Sequence, residues 1–229
     1  MDQVVTGPDG SFSVGTAQSR RETQVGEKAQ NVTHRQRENA RVKTLAQRIE
    51  DAIREDVTVV PYNPEWPKMF ACEAELLRHK FPAGLISRIE HFGSTAIPGL
   101  LSKPIIDMLV GVQSLEATKK EIVPVLETDG YDYFWRTDVD PPYAWFIKRD
   151  DEGRRTHHIH MVETDSQLWE RLYFRDYLKD FPDEARYYAQ LKQLLCEKHP
   201  HDRVAYTRGK TEFVLSVTER AKQYYTMRS

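Results

Sequence analysis

Gly93, Ser94 and Thr95 close a short apolar run, and a lone acid, Asp107, follows in the stretch "EHFGSTAIPGLLSKPIIDMLVG" at 90–111. Glycine lets a backbone approach a ligand closely and adopt positive φ. Small hydroxyls and free amides after it can cradle phosphate oxygens, as helix N-termini do. The same three residues also suit an ordinary hydroxyl-capped turn. Asp107 lies among Ile105, Ile106, Met108, Leu109, Val110 and Val112. A carboxylate in a buried strand is costly unless it meets a cation, a set of donors or the water-facing end of the strand. A metal or a basic partner is the economical reading. Lys103, four residues earlier, serves phosphate binding and ion pairing equally well.

These residues need elements to hold them. "LISRIEHF" reads as a strand leading into the turn, and "PIIDMLVGV", apolar at nearly every position, as a central strand. "VTVVPYNPEWP" predicts a short strand and a turn; Trp66, Met69, Phe70, Leu76, Leu77 and Phe81 then mark a helix. A second helix is expected from Ser114, as N-cap, to Asp129, with Gly130 as its stop. "YAWFIKRD" and "RTHHIHMVE" predict a hairpin turning through Asp150 to Gly153. Helices are expected over 166–180, 183–198 and 209–225. Strands early and midway, with helices at the end, predict an α+β domain: a mixed sheet flanked by helices, with a helical C-terminal part.

Composition narrows the class. The chain has 229 residues, a net charge of −2 and two cysteines, Cys72 and Cys196. That charge balance leaves no footprint of bulk nucleic-acid or membrane binding. So few cysteines argue for reduced thiols and a cytoplasmic protein. Residues 1–33 are polar and Gly/Ser-rich, and they predict a flexible tail. The segment 35–55 is helix-prone, with Val42, Leu45, Ile49 and Ile53 at helical spacing; it suits docking, self-association or fraying. We take 1–55 as the tail and 56–229 as the folded domain.

The stretch "GSTAIPGLLSKPIIDMLVGV" resembles the signature of the GrpB family, whose members have a nucleotidyltransferase-like fold. The resemblance extends to "VVPYNPEWPKMFACEAELL", "HHIHMV", "FRDYLKDFPDEARYYAQLKQLL" and the start of the last helix at Lys210 to Phe213, covering about 57–225. It implies a core in which Gly93 and Ser94 hold nucleotide phosphates and Asp107 is the first metal ligand. Divalent ions bridge the phosphates and neutralise charge developing at the α-phosphorus.

The wider superfamily carries two acids one residue apart, on one strand face. Here the partner position is Leu109. The later strand that should supply a further acid offers His158 and His160, with Glu163 at its end. The two histidines share a face by the two-residue period. With Asp107 they suit Zn²⁺ or Mn²⁺ better than Mg²⁺, which prefers oxygen. Phosphate binding by the histidines without metal, or a structural role, are the alternatives. Lys103, Arg175 and Lys210 are expected to converge on the anion, with Thr95 in the phosphate turn. The expected activity is nucleotidyl transfer from an NTP to a small molecule or protein side chain. A phosphate-binding module without transfer chemistry is the rival.

Overall fold

The structure, a computed structural model, describes residues 44–137 and 139–228. The tail expected over 1–33 and the start of the helix-prone segment lie outside the described residues. Helix α1 (Leu45–Arg54) and α2 (Trp66–Lys80) precede strand β1 (Ile86–Phe92), a 3-10 turn (Ser94–Ala96) and β2 (Ile106–Val112). A composite helix follows: α3 (Leu115–Ala117), a π turn (Thr118–Ile122) and α4 (Val123–Thr128). Then come β3 (Asp132–Arg136), β4 (Tyr143–Arg149) and β5 (Arg155–Glu163). A 3-10 turn (Gln167–Glu170) leads to α5 (Arg171–Asp180), α6 (Pro182–Lys198), α7 (Arg203–Gly209) and α8 (Thr211–Thr226).

The expected mixed sheet flanked by helices is present, in the order β1-β2-β5-β4-β3. β2 and β5 run parallel, and the other neighbours are antiparallel. Side chains of β2 alternate between two faces. Ile106, Met108 and Val110 pack with Trp66, Ala74 and Leu77 of α2 and Leu126 of α4. Each such large side chain contributes about 1.5–3 kcal/mol by burial. Asp107 and Leu109 take the other face, where Leu109 packs with Phe92, Val162 and Leu172. The C-terminal helices form a further cluster in which Phe174, Tyr188 and Val217 meet Ile97 and Leu100. Asp107 thus faces the side of the sheet on which the helical part is built.

Local signals explain several boundaries. The Ser114 side chain accepts a hydrogen bond from Ala117 N, as expected of an N-cap, and Gly130 stops α4 at φ 86°. Asp150 Oδ1 accepts from the amides of Glu152 and Arg154 at 3.1 and 2.9 Å, closing the predicted hairpin. Two expectations are corrected, and one strand is added. Residues 57–61 form no strand beyond a bridge between Val60 and Ser102, since Pro61 has no N–H to continue a ladder. Asp132–Arg136 is an edge strand that five residues of alternation do not announce. Gly209 ends α7 rather than opening the last helix, and a Cβ there would collide with Leu195. Lys210 joins α7 to α8.

Candidate functional site

Pairing sets the geometry. Asp107 lies opposite Phe92 on β1 and opposite His158 on β5, and Leu109 lies opposite His160. The chain leaves β1 at Gly93, with φ 70° and ψ −169°, a region essentially reserved for glycine. A Cβ on Gly93 would stand 2.5 Å from Asp107 Oδ2, so the turn is pressed against the carboxylate.

His158 links Asp107 to a cation. Its Nδ1 is 3.1 Å from Asp107 Oδ1, and its Nε2 is 3.3 Å from Arg155 Nη1. A guanidinium only donates, so Nε2 accepts and Nδ1–H donates to the carboxylate. By the same logic His160 Nδ1 accepts from Arg171 Nη1 at 3.3 Å, which leaves its proton on Nε2. Burial pushes His158 down to about 4 and His160 well below the usual histidine value, outweighing Asp107. Burial alone would raise Asp107; the His158 hydrogen bond and the nearby charges, Lys103 among them, outweigh it and hold the carboxyl at about 2. At neutral pH the group is therefore one carboxylate and two neutral imidazoles.

One ligand atom from each of Asp107, His158 and His160 lies within 4.8 Å of the others. This donor set fits a borderline divalent cation better than Mg²⁺. Asp107 offers its oxygens as it stands. Each neutral histidine can join through its unprotonated nitrogen once the arginine donor on it is released, Arg155 from His158 and Arg171 from His160, or through the other nitrogen after a tautomer shift.

The carboxylate opens on a cavity of about 1000 Å³. Among the described residues lining it, Asp107 is the single acid, against three lysines and five arginines. The Lys103 and Lys210 ammonium groups lie over the Tyr206 ring at 5.3 and 4.6 Å. Burial, then the charge of Arg203 and their mutual repulsion, pushes Lys103 well below the usual lysine value. Burial brings Lys210 to about 8, against the pull of Asp107. Part of the arc is neutralised: Glu55 pairs with Arg155 at 2.6 Å and Arg149 at 2.8 Å. Opposite charge concentrated in a low-dielectric cleft selects anions.

Lys192, fully buried, donates to Leu101 O and lies over the Tyr188 ring. Burial, aided by Lys210, lowers it to about 7. Below pH 7 both native and unfolded chains hold this proton. Between pH 7 and the ordinary lysine value of about 10.4 only the unfolded chain does, so stability rises with pH. Urea midpoints at pH 6.5 and 8.5 are expected to rise in the wild type and to rise less in Lys192→Met. An unchanged slope in the variant would mean that Lys192 titrates normally.

The structure sorts the sequence-derived residues. Ser94, Thr95, Lys103, Asp107, His158, His160 and Lys210 line one cavity, and Gly93 touches Asp107 from behind. Arg175 is not brought there: its guanidinium bonds Glu90 Oε2 at 2.9 Å, His91 O at 2.8 Å and Asp176 at 2.7 Å. The two turn hydroxyls are engaged within the protein. Thr95 Oγ1 donates to Ile105 O at 3.2 Å and receives His91 Nε2 at 3.0 Å, while the Ser94 side chain bonds Tyr188. Any phosphate contact at the turn then falls to backbone amides, of which the first in a 3-10 turn lack an intrahelical partner. Sequence reasoning passed over Arg155, Arg171, Arg203 and Tyr206 and gave Trp145 no role in the site. A signal existed for Trp145: across the hairpin it sits opposite His160, on the face of the expected site.

Comparison with known proteins places the chain. Residues 56–220 match the family model described as GrpB protein. A UPF0157 protein of Pseudomonas aeruginosa is 41% identical over 177 residues, covering 76% of this chain and 72% of that protein. The glutamate-rich protein GrpB of Alkalihalophilus pseudofirmus is 37% identical over 161 residues, covering 69% and 92%. The crystal structure of conserved protein GrpB from Enterococcus faecalis superposes with a TM-score of 0.66 at 32% identity, covering 73% of this chain and 99% of that one. Among the described residues no helix is long and apolar enough to cross a membrane. The matched span holds the turn, the acid and both histidines, and the chain belongs to the GrpB family.

Proposed function

We propose that the domain binds a nucleoside triphosphate in this cavity and transfers its nucleotidyl group to a small-molecule or protein acceptor. One observation carries the reading: Asp107, the single acid among the described lining residues, faces a cavity that also holds Lys103, Lys210 and five arginines, beside a glycine turn pressed against its carboxylate. Lys103 and Lys210 hold phosphate oxygens as point charges, and the opening of α8 at Lys210 adds a favourable helix dipole. Asp107, with neutral His158 and His160, would hold a divalent cation. Such an ion supplies charge neutralisation at the phosphates. The protein's own task is to orient the α-phosphorus and exclude water.

The test is a thermal-shift panel of four NTPs with Mg²⁺, Mn²⁺ or Zn²⁺, followed by an assay for released pyrophosphate. A metal-dependent shift and pyrophosphate release support transfer. Lys103→Met is expected to weaken NTP and pyrophosphate binding at least tenfold, the scale of one lost charge-assisted contact. It should leave the melting temperature of the free protein unchanged or higher, because a buried charge is removed. Unchanged binding would take Lys103 out of the site.

A second reading is a phosphate-binding module without transfer. It is favoured by Leu109, fully buried among Phe92, Val162 and Leu172 at the position of the superfamily's second acid. Binding without pyrophosphate release, whatever the acceptor supplied, supports this reading.

A further inference from the structure

The cavity continues past His160 into a part that phosphate binding does not use. Trp145 reaches both histidines, its ring 5.2 Å from His158 and 6.2 Å from His160. Beyond His160, Tyr143 lies 5.1 Å from its ring and Arg171 bonds its Nδ1, while Phe134 extends the wall 5.1 Å from Trp145. Phe134 and Trp145 both line the cavity.

Trp145 Nε1 is shielded from solvent and has no hydrogen-bond partner among the described residues, so the face that Trp145 offers a ligand is its ring. Arg171 lies over the rings of Phe92 and Tyr143 at 5.8 and 5.5 Å, and its one hydrogen bond among the described residues goes to neutral His160. Arg149, Arg155, Arg175 and Arg203, which are also largely buried, each pair with a carboxylate. Arg171 has none among the described residues.

We infer that this part of the cavity is a subsite for a flat, apolar molecule bearing one carboxylate, which lies against Trp145 and Phe134 and pairs with Arg171. Arginine's planar fork matches a carboxylate with two parallel donors, and an aromatic wall accepts a flat ring. That such a molecule is the acceptor rests on the transferase reading; that it binds does not.

The experiment follows the indole N–H signals of the full chain by ¹⁵N NMR, with the Trp145 signal assigned through Trp145→Phe. The probes are 2-naphthoate, its neutral counterpart 2-naphthamide, acetate, and pyrophosphate. The expected result is a saturable shift of the Trp145 signal with 2-naphthoate, and binding about tenfold weaker or worse for the other two organic probes, as loss of one charged contact or of the flat body implies. Arg171→Gln should weaken 2-naphthoate by a similar factor and leave pyrophosphate affinity alone, while Lys103→Met should do the reverse. Arg171→Lys keeps the charge without the fork and should fall between, which guards against a variant that misfolds. Equal binding of naphthamide and naphthoate, or a Trp145 signal moved by pyrophosphate alone, overturns the inference. Naphthoate binding without any nucleotide binding leaves the subsite standing and removes the transferase reading.

Discussion

Asp107→Asn is expected to abolish the stabilisation that an NTP with a divalent cation gives the protein. A ligand at about 100 times its dissociation constant stabilises by about 2.7 kcal/mol, or roughly 5–10 °C for a domain of this size. The amide keeps the shape of the carboxylate and loses the single negative charge in the cavity lining. If metal-dependent affinity falls about 100-fold, the same ligand concentration contributes only about 0.4 kcal/mol. The direction reverses without metal. With Asp107 neutral, no acid among the described lining residues opposes an anion, so pyrophosphate in the presence of a chelator should bind the variant as tightly as the wild type or more tightly. Thermal shifts with and without chelator read both effects. An NTP-metal shift that survives the substitution would remove Asp107 from the cation site.

The second large effect is on folding. Gly93→Ala should destabilise the free protein by about 2–4 kcal/mol, combining a backbone region closed to other residues with a forced contact. At φ 70° and ψ −169° an alanine is strained wherever it stands, and here its Cβ would also meet Asp107 Oδ2 at 2.5 Å. The neighbouring strand cannot retreat, because Asp107 is paired to Phe92 on one side and His158 on the other. Urea denaturation gives the stability change directly. Gly99→Ala is the control: it shares the positive φ of 77° but meets nothing within 4 Å. If the two variants lose equal stability, the contact with Asp107 contributes nothing and strain alone explains the loss.

What could be read from the sequence was local. The apolar run around Asp107, the glycine turn before it and the alternation of His158 and His160 each declare a strand, a close approach or a shared face within a few residues. Parallel pairing of β2 with β5 then brings the acid to the histidines. What was not legible depends on placement between distant elements. Arg171 and Arg175 stand one helical turn apart in "RLYFRD"; one reaches His160, the other Glu90 across to β1. No local pattern separates them, because the difference lies in which strand each part of α5 crosses. Arg203 and Tyr206 belong to a seven-residue helix whose sequence shows no strong periodicity, yet its position under Lys103 and Lys210 sets much of the charge in the cavity. Thr95 shows the opposite case. Its type suited a phosphate contact, and the hydroxyl is instead bonded to Ile105 O.

The parallel seam between β2 and β5 has a consequence for how the site comes into being. Asp107 and the glycine turn belong to the β1–β2 hairpin, and both histidines belong to the β4–β5 hairpin, with 51 positions separating Asp107 from His158. Each hairpin can form from near neighbours, but closing the seam between them carries the loop entropy of everything in between. The acid stands in one half and both histidines in the other. The acid–histidine group therefore comes into being only when the two hairpins zip together, and it is lost when that one seam opens.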